Sequence, residues 1–139
     1  MRIQLFPIFI SLFIISCSKS ENEGFLGEWE GKSVTILNGN PVESDIEAKI
    51  SDRGNLSREC EITVKGLTYN FDASEGLNTL TFTKAPVKNI SDSLSQTYIT
   101  GTAELIGDTL LIFDHQVLTM DGTFVISAVD YNLEFKRKE

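Results

Sequence analysis

Apolar residues are distributed along this chain in two contrasting ways. Residues 3–15 are almost wholly apolar, broken only by Gln4, Pro7 and Ser11. Beyond residue 24 the apolar positions recur every second residue, in short runs rich in β-branched and aromatic side chains and cut by Gly, Asn, Asp and Pro. A period of two sends successive side chains to opposite faces of an extended strand. The runs predict strands over 28–37, 45–51, 58–65, 67–73, 79–84, 97–106, 109–118 and 123–136, and no long segment keeps a helical period. Between them stand Asn38-Gly39-Asn40-Pro41, Asp52-Arg53-Gly54-Asn55, Lys65-Gly66, Ser74-Glu75-Gly76, Gly107-Asp108 and Asp121-Gly122. Such short connections suit successive antiparallel hairpins, because Gly and Asn accept the positive φ of tight turns. The longest interruption, residues 85–95 with Pro86, predicts a loop with room for one short helical turn. In the last strand Phe124, Ile126 and Ala128 hold one phase and Val129, Tyr131, Leu133 and Phe135 the other, so a bulge is expected near Ser127-Ala128.

Eight strands in sequential hairpins form a meander, and an open meander would leave two bare edges that invite pairing with other chains. Closing the sheet removes them. The expected fold class is therefore all-β, an antiparallel up-and-down β-barrel of about eight strands over residues 25–139. Tyr69, Phe71, Phe82 and Phe113 are the candidate lumen-lining groups. A barrel of this size encloses one small ligand or only its own side chains. Residue size on the inward faces is split: Gly101 and Ala103 leave space on one strand, while Phe and Leu fill others.

The apolar run 3–15 is shorter than the roughly 20 residues that cross a hydrocarbon core at 1.5 Å per residue, and Pro7 would weaken a permanent helix. Its length suits the apolar region of a secretory signal, and Arg2 supplies the preceding positive charge. At its end, Ile14-Ile15-Ser16-Cys17 resembles the bacterial lipobox. The resemblance implies cleavage between Ser16 and Cys17, a signal peptide over 1–16, and lipid on Cys17 with acyl chains such as palmitate. An ordinary signal peptide with an accidental cysteine, or an uncleaved anchor, is the plainer alternative. One acyl chain holds a protein only marginally, each buried methylene contributing about 0.8 kcal/mol, whereas the two or three chains of a lipoprotein hold it permanently. Residues 18–24 then read as a short polar tether. Ser18 after the cysteine favours the outer membrane by resemblance to enterobacterial sorting. Residues 18–23 loosely match the acidic stretch of surface-exported lipoproteins, which leaves the choice between periplasmic face and cell surface open.

The first strand opens with Gly27-Glu28-Trp29, which resembles the Gly-x-Trp of lipocalin-like (calycin) barrels. In that family the Trp plugs one end of the barrel and an Arg of the final strand stacks on it. The resemblance implies that role for Gly27, Trp29 and Arg137, since Leu133, Phe135 and Arg137 share a face. A plain core aromatic is the other reading of Trp29. The chain also looks like the small lipobox-bearing, lipocalin-like lipoproteins of the Bacteroidota. The family's internal Asp-Tyr turn signature and its disulfide have no match here.

Removing residues 1–16 takes away one charged group, Arg2, from 12 Lys+Arg and 20 Asp+Glu, leaving 123 residues and a net charge of −9. An acidic domain repels phosphate backbones, so nucleic acid is not an expected partner. With Cys17 lipidated, Cys60 has no intramolecular partner; it shares a face with Ile62 and Val64 and reads as a buried small apolar residue, with an intermolecular disulfide as the alternative. Glu43, Asp45 and Glu47 form the densest acidic alternation, a solvated strand face rather than a cation site. The single histidine, His115, follows Asp114 on a strand, so the two point to opposite faces and cannot form a dyad. No nucleophile elbow, zinc motif or phosphate loop occurs, and no enzyme, metal or cofactor is expected. Two functions remain: a lipid-anchored envelope protein binding a small hydrophobic ligand in its lumen, or an adaptor or inhibitor with a filled core that contacts an envelope protein or glycan through its outer surface.

Overall fold

The computed structural model describes residues 24–90 and 94–139. The signal segment, Ser16, Cys17 and the tether up to residue 23 lie outside these. The described residues form eight antiparallel strands and no helix: β1 (Gly27–Leu37), β2 (Asn40–Gly54), β3 (Ser57–Val64), β4 (Leu67–Glu75), β5 (Thr79–Pro86), β6 (Gln96–Ile106), β7 (Leu110–Asp121) and β8 (Phe124–Arg137). Each strand pairs with the next, and β8 returns to β1, closing a barrel-like ring. The alternation seen in the sequence becomes an inside and an outside. Ile46, Ile62, Phe71, Leu80, Phe113 and Phe135 fill the interior, while the intervening positions face water.

Several strands run further than the hydrophobic pattern predicts. β2 begins at Asn40 and includes Pro41, expected in a turn. Its first residues pair only with β1, because β3 joins β2 from Ile46 onward, so a proline without an N–H leaves no bond unmade. The β1–β2 turn shrinks to Asn38-Gly39, both at positive φ (51° and 79°), the pair a two-residue hairpin needs. β5 continues through Ala85 and Pro86 past an irregularity at residues 83–84, so the loop is shorter than predicted. Residues 91–93 of that predicted loop lie outside the described residues. In β8 the register shift leaves Ile126 as the extra residue, one position before the predicted bulge.

The ring has two weak seams. β4 and β5 pair only at Ser74↔Thr81 and Glu75↔Leu80, but the chain after β5 stitches the rest. Lys88 N–H donates to the Asn70 carbonyl (2.7 Å), the Asn70 N–H donates to Asn89 Oδ1 (2.9 Å), and Asn89 Nδ2 donates to the Thr68 carbonyl (2.6 Å). The Asn89 amide thus stands in for a missing stretch of strand. At the other seam, β1 and β8 pair only at Trp29↔Arg137 and Glu30↔Lys136. Gly31 still approaches β8, since a Cβ there would lie 2.3 Å from the Glu134 carbonyl oxygen. Beyond it, among the described residues, no backbone pairing joins the two strands.

Candidate functional site

One end of the ring is plugged. Phe25 and Trp29 are each 1% exposed, and the indole N–H donates to the Phe25 carbonyl at 3.0 Å. The Arg137 guanidinium lies 4.2 Å above the Trp29 ring, within cation–π range. Its three nitrogens donate to backbone carbonyls of Leu26 (2.9 Å), Gly24 (2.6 Å) and Asp108 (3.1 Å). One side chain therefore holds the incoming chain, the plug and the β6–β7 turn together. Gly27, at φ 123°, turns the chain from Phe25 into β1.

The four candidate lining residues are all buried, and the three phenylalanines among them pack against one another. Phe71 and Phe82 have ring centroids 4.9 Å apart, Phe82 and Phe113 6.1 Å, and Phe113 reaches Phe135 at 5.7 Å. These are the distances of tilted and edge-to-face aromatic contacts, so the middle of the ring is filled by its own side chains. Gly101 leaves no space either, contrary to expectation. A Cβ there would lie 2.3 Å from the Asp114 carbonyl oxygen and 2.7–2.8 Å from His115 Cα and Cβ. Its φ of 154° admits glycine most readily, and its bareness lets β7 close in. Gly101→Ala is expected to cost about 2 kcal/mol through this strain. An unchanged urea-unfolding midpoint would contradict the close approach.

Above this packed layer lies His115, which the sequence reading weighed only as a partner for Asp114 and not as a lining group. His115 is 4% exposed and, among the described residues, neither of its ring nitrogens has a hydrogen-bond partner. Tyr131, its cross-strand neighbour on β8, stacks on it at 5.3 Å with the planes 17° apart. Phe82 and Phe113 meet it edge-on at 6.4 and 6.1 Å. Burial, opposed only by the outward-facing Asp114, pulls the imidazole down to about 4, so it is neutral at pH 7. Burial also raises the Tyr69 phenol, as do the charge and hydrogen bond of Tyr131, which links the two hydroxyls. The signal was present in the alternation: His115 shares the phase of Leu111, Phe113 and Val117.

This polar group sits next to the unpaired part of the β1–β8 seam. Tyr131 is half-buried, and Val129, two residues along the same inward face, is 43% exposed. Ser33 and Thr35, in phase with Trp29 on β1, are half-buried too. Backbone pairing between β1 and β8 has ended here, and by strand order Tyr131 on β8 lies between β1 and His115. A surface cleft, by contrast, lies at the plugged end among Leu26, Glu28, Lys49, Asp52 and Lys138. It reaches none of the interior aromatics and holds no unpaired buried group, so the polar group inside the ring is the stronger candidate.

The remaining sequence candidates lie apart. Lys32 faces Asp45 (3.3 Å) and Glu43 (4.0 Å), and Lys138 faces Glu47 (3.8 Å), so the acidic alternation is a lysine-paired outer face. Cys60 is fully buried and unpaired. Burial, with Asp72 and Glu59 adding to it, pushes its thiol up to about 12. Native Cys60 is expected to resist iodoacetamide at pH 8 and to alkylate once urea unfolds the chain; rapid alkylation of the folded protein would refute its burial. Comparisons with protein-family models, with curated proteins and with solved structures gave no match to this chain.

Proposed function

We propose that this protein is a lipid-anchored envelope lipoprotein of the Bacteroidota type, cleaved after Ser16 and lipidated on Cys17. Its ring is a lipocalin-like up-and-down barrel that binds a small hydrophobic ligand and carries out no catalysis. The observation that supports binding is the unpaired stretch between β1 and β8, beside which Val129 on the inward face is 43% exposed and Tyr131 half-buried. Ligand sites are typically concave and mostly apolar with a few convergent polar groups, and the aromatic layer below the gap supplies the apolar floor. Because the middle of the ring is filled, the ligand occupies the end away from Trp29.

The tether favours one orientation. Seven residues, 18–24, span at most about 25 Å, and Gly24 is held at the plugged end by Arg137. With lipid on Cys17 the plugged end faces the bilayer and the gap faces away from it, on the periplasmic or the cell-surface side of the outer membrane. Incorporation of labelled palmitate that is lost in Cys17→Ala tests the anchor. Uptake of Nile red by the folded soluble domain tests the ligand site; no uptake would sink it.

A second reading, an adaptor or inhibitor that contacts an envelope protein or glycan, draws on the outer surface. The β1–β2 and β7–β8 hairpins carry Val34, Ile36, Leu37, Phe124, Val125 and Ile126, all more than half exposed. Crosslinking through these positions to an envelope component, with no dye uptake, would favour that reading.

A further inference from the structure

We propose that His115, with Tyr131 and Tyr69, forms the polar end of the ligand site, and that it selects apolar, ring-sized molecules bearing one uncharged hydrogen-bonding group such as a hydroxyl. This rests on the binding reading above and names the ligand class. The starting point is the imidazole itself. A neutral imidazole carries one N–H that needs an acceptor and one bare nitrogen that needs a donor. Both nitrogens of His115 are buried, and among the described residues both lack partners. Leaving such groups unmet is costly, and native interiors almost always satisfy them with protein, water or ligand.

The surroundings narrow what that partner is. Phe82 and Phe113 stand edge-on to the ring, and Tyr131 covers one of its faces. Asp114, the nearest carboxylate in sequence, is exposed on the opposite side of β7. A charged head group would enter this apolar setting without a counter-charge, which is strongly unfavourable. The imidazole is neutral at physiological pH and offers an anion no ion pair. A hydroxyl both donates and accepts, so it satisfies either nitrogen whichever tautomer is present. The route in is the unpaired stretch of β1 and β8, with half-buried Tyr131 standing between it and His115. The ligand body then lies along Tyr131 and Val129, over the packed phenylalanines.

Matched probes test this: 1-naphthol, neutral at pH 7, against naphthalene, by equilibrium dialysis with the folded domain. At least tenfold tighter binding of 1-naphthol is expected, with the ratio of the two affinities falling to near parity in His115→Phe. Because His115 is the single histidine, ¹⁵N-histidine labelling gives one imidazole signal and reads the unmutated protein directly. Its nitrogen shifts are expected to move with 1-naphthol and stay put with naphthalene. Equal affinities, or unchanged nitrogen shifts at saturation, would mean that only a resident water serves His115 and would overturn the assignment while leaving hydrophobic binding intact. If neither probe nor Nile red binds, the binding reading falls together with this one.

Discussion

Trp29→Ala is expected to lower the free energy of unfolding by about 4 kcal/mol, the cost of truncating a large aromatic in a packed interior. The indole is 1% exposed, donates to Phe25 and supports the Arg137 guanidinium, so its loss opens the plug from three sides. Arg137→Ala removes three hydrogen bonds to carbonyls of Gly24, Leu26 and Asp108 and is expected to cost about 3 kcal/mol. Arg137→Lys should recover less than half of this, since an ammonium cannot fork toward three separate carbonyls. Because the two side chains share one contact, the double variant should cost less than the sum of the singles by about 1 kcal/mol. Urea denaturation of the wild type and the four variants measures all of this. Strict additivity would show that the 4.2 Å stack contributes nothing.

The second large effect is a dependence of stability on pH. His115 titrates at about 4 in the folded chain against an ordinary 6.5, so between those values the unfolded chain takes up a proton that the native protein refuses. Stability from this source is complete above pH 6.5, falls as the pH drops through the window, and levels off below about 4. The total is on the order of 3 kcal/mol at 1.36 kcal/mol per pH unit. His115→Phe should abolish this component, so between pH 6.5 and 4 the wild type should lose about this much stability relative to the variant. Carboxylates titrate in both proteins and cancel in the difference. Parallel curves would show that the imidazole is hydrated or paired in the native state.

How much of this was legible in the sequence depends on whether each strand has one wet and one dry face. Residues 58–64 and 97–106 alternate cleanly because β3 and β6 line a filled interior, and both were readable as strands. Residues 40–43 and 124–130 are exposed on both faces, so no alternation marked the start of β2, and the bulge in β8 could be placed only approximately. Gly101 looked like spare volume because a missing side chain reads the same whether space or backbone replaces it; only the approach of β7 distinguishes the two. Trp29 and Arg137 were readable through a three-residue motif and a shared phase. The gap between β1 and β8 was not, since an unmade backbone bond leaves no trace in side-chain order. His115 stood in plain sight among Phe113 and Val117, but its lack of partners is a property of several strands packed around one ring.

Whether the ring takes up a molecule beside the unpaired stretch of β1 and β8 is best decided by native mass spectrometry of the protein after mild, detergent-sparing purification. A small-molecule mass that leaves on unfolding, or that appears when 1-naphthol is added, is the predicted result. A protein that stays at its bare mass with every apolar probe offered would contradict it.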